Sequence, residues 1–330
     1  MSIEKKGEIM ALNDILIDVQ ASGSATGMSG KTVSTGAGDD LVEILATSAR
    51  SDAFAVKSSK LDTGLGDDTI TFIGKSLGSG HAYGMYSTTL NAGDGANEIT
   101  VKAESATGHA TGMSGSTITA GNGADKIYVE GKTTGNGVAQ GLSYSSIYAG
   151  DGANTVSIYA EAAKSDAYAI ACDVVGGKDN DVISVAAKSL GGGTAKGLVC
   201  STVDGKEGDN VISISAQSAT GAAYAVDSGK VRAGAGNDSV TISAISGGSG
   251  RAQGLYCSDV NVGDGHNTVS IYAESKTGEA WGIGCEVTSG SGNDKIDVTA
   301  KTSGSATAFG IYCSTINAGA GHNAVTLTAE

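Results

Sequence analysis

Proline is absent from all 330 residues, which excludes a collagen-like chain despite 52 glycines. Aromatic residues make up only 5% of the chain, too few for the core of a large globular domain. Basic residues are also scarce, 21 against 35 acidic, for a formal charge of −14. A nucleic-acid binder would present basic patches, so no nucleic-acid partner is expected. Anionic lipid would repel the chain, and no segment is apolar enough to span a bilayer, so no membrane insertion is expected. The stretch Met1–Gln20 has no apolar run of signal-peptide length, so export without a cleaved amino-terminal signal is the expectation. The five cysteines, Cys172, Cys200, Cys257, Cys285 and Cys313, are odd in number and loosely spaced, unlike a disulfide framework or a zinc site.

What the chain does have is 40% apolar residues, too many for disorder, and a repeat. An Asp or Asn following a glycine turn recurs at 40, 68, 97, 125, 154, 181, 210, 238, 267, 294 and 323, in steps of 27 to 29. An alanine recurs at 25, 53, 82, 110, 139, 167, 195, 223, 252, 280 and 308, in steps of 28 or 29. A longer beat is present too, since Asp68, Asp181 and Asp294 lie 113 apart. Duplication of pairs of units would leave that trace.

Each unit reads as strands and turns. In Asn267–Ser275, Val269, Ile271, Ala273 and Ser275 alternate with mostly polar groups, the mark of a half-buried strand. A unit of 28 or 29 residues cannot bury a face alone, so neighbours must stack. The fold class expected is all-β: a single parallel β-solenoid of about eleven coils over 13–330, with a lead-in or cap over 1–12. At about 4.8 Å per coil, the rod would be on the order of 50 Å long. Proline would remove a ladder donor from any such strand, which accounts for its absence.

The turns carry the strongest chemical signal. Gly36-Ala-Gly-Asp-Asp40, Gly64-Leu-Gly-Asp-Asp68, Gly121-Asn-Gly-Ala-Asp125, Gly234-Ala-Gly-Asn-Asp238 and Gly290-Ser-Gly-Asn-Asp294 all read G-x-G-x-D, with Val or Ile two residues on. They resemble the hemolysin-type (RTX) calcium-binding nonapeptide repeats, whose family forms calcium-filled β-rolls in secreted toxins, proteases and adhesins. The resemblance covers the turns only. It implies calcium as a cofactor, held by Asp40, Asp68, Asp125, Asp238 and Asp294, and further by Asp94, Asp151 and Asp264 in the related turns. It also implies secretion with an uncleaved carboxyl-terminal signal. Here there is one motif per 28–29 residues rather than a contiguous run. Four turns end in Asn (Asn97, Asn154, Asn267 and Asn323), so a shared ion would need an Asn turn as one wall. The other reading of the same residues is a metal-free ladder of turn hydrogen bonds.

The residue after the recurring alanine is aromatic at Phe54, Tyr83, Tyr168, Tyr224, Trp281 and Phe309. Strict alternation would put this position inside. Lys196, Gln140 and Gln253 share the column and would be costly there, so a bend is expected that turns the alanine in and the stripe out. Exposed, the stripe suits stacking on a polysaccharide or another surface; alternatively it caps a corner of the rod. The cysteines fall in a mostly small column and are expected to pack inward. His81, His109, His266 and His322 are expected to be solvated turn residues. No nucleophile–base constellation stands out from the period, so the expectation is not an enzyme. It is a structural solenoid, secreted or at the cell surface, acting as an adhesin, filament or matrix component that associates end to end with itself. The alternative is a carbohydrate- or surface-binding module.

Overall fold

A computed structural model describes residues 14–330 and shows a parallel β-solenoid with no helix. The lead-in expected over 1–12 lies outside the described residues. Each coil contributes one long strand, as in Thr69–Ser76, a middle strand, as in Ala82–Tyr86, and a short strand, as in Thr89–Asn91. The long strands stack into one 12-stranded sheet, and the middle and short strands into a second. Every pairing within the sheets is parallel, in register as in Ile70↔Ile99 and Ile99↔Ile127, with a register shift between Tyr256 and Asp259 in the second sheet. Eleven coils carry all parts of the unit, and a twelfth long strand, Ala324–Ala329, lies on the last.

The long strands follow the expected alternation. In Thr69–Ser76, Ile70, Phe72, Gly74 and Ser76 are buried while the residues between them are more exposed. The core is thin, formed by the Val and Ile of the long strands against the Ala, Val, Leu and Met of the second sheet. Where the long strand ends, a buried hydroxyl bridges to the coil before it: Ser76 Oγ donates to the Ser51 carbonyl at 2.9 Å and Ser105 Oγ to that of Gly80 at 2.8 Å.

The bend required by the aromatic column is present. In Ala53–Lys57, Ala53 is buried and Phe54 is partly exposed, and then Ala55 and Val56 are both buried, which breaks strict alternation. The ladder skips the third position, pairing Phe54 with Tyr83 and then Val56 with Met85. That third residue is Gly or Ala because the chain there lies on the core: a Cβ on Gly84 would sit 2.4 Å from Val101 Cγ1.

Candidate functional site

The buried Asp/Asn column runs the length of the rod and is its main polar feature. Glycines with positive φ, such as Gly64 (φ 90°) and Gly66 (φ 130°), wrap each turn so that the anchor side chain points along the axis. Asp125 and Asn210 are fully buried, and every other anchor from Asp40 to Asp294 is nearly so. The backbone N–H of each anchor donates to Oδ1 of the anchor one coil on. Asn97 N–H reaches Asp125 Oδ1 at 2.8 Å, Asp125 N–H reaches Asn154 Oδ1 at 2.9 Å, and Asn154 N–H reaches Asp181 Oδ1 at 2.9 Å. The pattern continues unbroken to Asp294 N–H on Asn323 Oδ1 at 2.8 Å.

The second side-chain atom separates the two residue types. Asn154 Nδ2 donates to the carbonyls of Gly150 and Gly152, in its own turn, at 2.9 and 2.8 Å. Asn97 Nδ2 donates likewise to Gly93 and Gly95, and to Ala120 of the next coil at 3.2 Å. Among the described residues, Oδ2 of Asp40, Asp68, Asp125, Asp238 and Asp294 is buried with no hydrogen-bond partner. Burial pushes the Asp125 and Asp238 carboxyls up to about 6, and raises that of Asp68 as well.

Asp94, Asp151 and Asp264 lie elsewhere, in an outer column of opposite polarity, where the N–H of the following coil donates backward. Asn122 N–H reaches Asp94 Oδ1 at 3.0 Å, and Ser291 N–H reaches Asp264 Oδ1 at 2.7 Å. The backbone and hydroxyl of Ser291 hold the Asp264 carboxyl below the usual carboxylate range. Asp151 is paired with Lys178 at 3.0 Å. These three lie on separate, non-adjacent coils and do not converge on the buried five.

Calcium asks for six to eight oxygens. In the buried column, among the described residues, Asp68, Asp125, Asp238 and Asp294 each have one oxygen engaged by an N–H and one free, Asp40 has both free, and Asp181 has both engaged. The ladder neighbours of Asp125, Asp238 and Asp294 are all Asn, whose amides place a donor where an ion would need oxygen. Among the described residues no three His, Cys, Asp or Glu side chains gather as a metal centre. The buried carboxylates of Asp125, Asp238 and Asp294 therefore do not fit a calcium ion, and the outer carboxylates offer solvated contacts.

The aromatic column is turned outward but is not one continuous stripe. Phe54 and Tyr83 stack at 4.9 Å with Tyr86 edge-on, and Trp281, Phe309 and Tyr312 form a second cluster with centroids 4.4 to 5.6 Å apart. Between them, Tyr168 donates its hydroxyl to Asp166 at 2.8 Å, and the Lys196 ammonium pairs with Asp227 at 2.6 Å beside the Tyr224 ring. Thr111 and Gln253, in the same column, are buried. Gln253 lies in register between Tyr224 and Trp281, larger residues on both sides.

The inward packing expected of the cysteines is not found. Cys200, Cys257 and Cys313 are exposed, Cys172 and Cys285 are partly so, and all five are free thiols. Their column is a left-handed corner between the middle and short strands. Ser58, Ser87, Tyr144, Cys200, Ser228, Cys257 and Cys313 have φ between 45° and 56°, and the glycines Gly30 and Gly115 have φ of 62° and 56°. Small residues sit there because of the backbone conformation, not because of a tight core. The histidines, expected to be merely solvated, are ladder members too. His81 and His109 stack at 4.9 Å, and their Nδ1 atoms accept the N–H of His109 and Val138. The shared spacing of His81 and His109 was the one available signal of this.

The fold and its ladders define a parallel β-solenoid. No protein-family model matches the chain, and no curated protein matches it. Among solved structures, a hyperactive, Ca²⁺-dependent, β-helical antifreeze protein from an Antarctic bacterium is similar at 17% identity and a TM-score of 0.43. The match covers 94% of this chain and 80% of that one. At that distance nothing about ligand or activity transfers.

Proposed function

We propose that the chain is a non-enzymatic structural rod, secreted or displayed at the cell surface as an adhesin segment, filament subunit or matrix component. The observation that supports this reading is the unbroken parallel pairing from Ile15–Ala21 to Ala324–Ala329, which commits the described chain to two axial sheets. Rods of this kind join by adding strands at their ends. Static light scattering across a hundredfold concentration range is expected to show mass rising in multiples of 32.4 kDa. A constant monomer mass at the highest concentration would refute self-assembly.

Calcium belongs to this proposal only as a loosely held counter-ion of the exposed acidic edge, including Asp94, Asp151 and Asp264, and not as part of the coil. Thermal unfolding should then differ little between EDTA and a few millimolar calcium. With dissociation constants in the millimolar range, the mass-action stabilisation is about 1 kcal/mol. A rise of tens of degrees with calcium would instead mean an integral metal.

A further inference from the structure

Among the described residues, four of the five turns that match Gly-x-Gly-x-Asp leave half of the buried carboxyl unexplained, and the Asp40 turn leaves both of its oxygens so. Oδ1 accepts the N–H of the preceding coil at Asp68, Asp125, Asp238 and Asp294, as Asn does in the coils between. Since Asp and Asn are equivalent in the ladder, Oδ2 corresponds to the amide nitrogen that donates to glycine carbonyls in the Asn turns. A charged oxygen there is both desolvated and set against carbonyl oxygens, which is unfavourable on each count. A carboxylic acid resolves it, because its O–H stands where the amide has an N–H.

We propose that the buried carboxyls of Asp68, Asp125 and Asp238, each with an unpartnered Oδ2, form a proton-binding column. In mildly acidic surroundings each takes up a proton on Oδ2 and donates it to the carbonyls of its own glycine turn, in the role of the Asn amide, so that the rod tightens. The disagreement between a calcium-like motif and a donor set that does not suit calcium is thereby resolved, since the motif builds the turn and a proton satisfies it.

The surroundings agree. Burial is the main influence on these carboxyls; Asp94 on Asp125, Asp209 on Asp238, and Asp39 and Asp40 on Asp68 add to it, outweighing the hydrogen bonds of Asn97, Asn210 and Thr63 that favour the charged form. The ladder members flanking Asp125, Asp238 and Asp294 are the neutral Asn97, Asn154, Asn210, Asn267 and Asn323. Asp181 supplies the contrast. Its turn breaks the glycine spacing and its Oδ2 accepts the N–H of Gly177 at 2.9 Å, so a donor meets the oxygen, although burial still raises its carboxyl. For Asp125 and Asp238 the folded value, about 6, lies above the ordinary one, 3.8. Their contribution to stability is therefore complete below the unfolded value and lost as pH rises through about 6.

The test is the double variant Asp125→Asn, Asp238→Asn in the full chain, melted from pH 4 to pH 8 beside the unaltered protein. His81, His109, His266 and His322 are common to both and drop out of the difference. The variant is expected to melt a few degrees higher at pH 7.5, with the gap closing by pH 4.5. A variant that is less stable at pH 7.5, or a gap independent of pH, would overturn the proposal. Carboxyl-carbon NMR of the unaltered protein labelled at Asp Cγ decides independently of how the variant folds. Two resonances that titrate near pH 6 and vanish in the variant uphold the proton column; midpoints below about 4 for both residues overturn it.

Discussion

Gly93→Ala is expected to cost about 3–5 kcal/mol, among the largest losses a single methyl group can cause in this chain. Gly93 has φ 80°, where any side chain is strained, and the added Cβ would lie 1.6 Å from the carbonyl oxygen of Gly64 in the coil before it. That oxygen is not free to move, because it accepts the backbone N–H of Asp94 at 3.1 Å. The turn can relieve the clash only by parting two stacked coils. Gly115→Ser is the control, since Gly115 also has positive φ (56°), yet an added Cβ would meet only Ser87 Oγ, at 3.7 Å. Serine already occupies the equivalent corner at Ser58, Ser87 and Ser228. Chemical denaturation should show a large loss for the first variant and a change within about 1 kcal/mol for the second. In a stacked array the loss is partly local, so hydrogen exchange should rise first in the coils around Gly64 and Gly93. Equal stability of the two variants would contradict the close backbone contact.

The architecture was legible because a stacked coil writes its geometry into the period. The alternation of Val269, Ile271 and Ala273 marked the buried face, and Lys196 in the aromatic column revealed the bend, since a lysine would be costly inside. The site was legible only in part. The spacing Gly-x-Gly-x-Asp records a turn with positive φ, and the same backbone serves whether the side chain then meets an ion, an amide or a proton. What it meets is decided by a coil some 28 residues away, such as Asn154 for Asp125. The cysteine column misled for a related reason. Smallness suits both a tight core and a left-handed corner, and only Tyr144, 83% exposed at φ 51°, distinguished the two.

Asn154→Ala is the sharper test of the column, and it should be compared with Asn154→Asp. Alanine removes the acceptor of the Asp125 N–H and the donor to the Gly150 and Gly152 carbonyls, while leaving the Asn154 N–H on Asp181 in place. One buried and two part-buried polar groups lose a partner, at about 1–3 kcal/mol each where left unsatisfied. The carbonyls can be partly re-served, so the expected loss is about 3–6 kcal/mol, and it should be independent of pH. Aspartate keeps the acceptor but converts the donor to an oxygen facing the same carbonyls, and it places three carboxyls in succession at 125, 154 and 181. At pH 7.5 this variant should lose stability through desolvated like charges. As pH falls through the raised carboxyl values, protonation restores the donor, and its stability should approach that of the unaltered rod by about pH 4. Alanine has nothing to protonate and should not recover. Two variants that respond to acid alike would show that the column depends only on the shape of its side chains, whereas a recovery confined to aspartate would show that it depends on a hydrogen at that one atom.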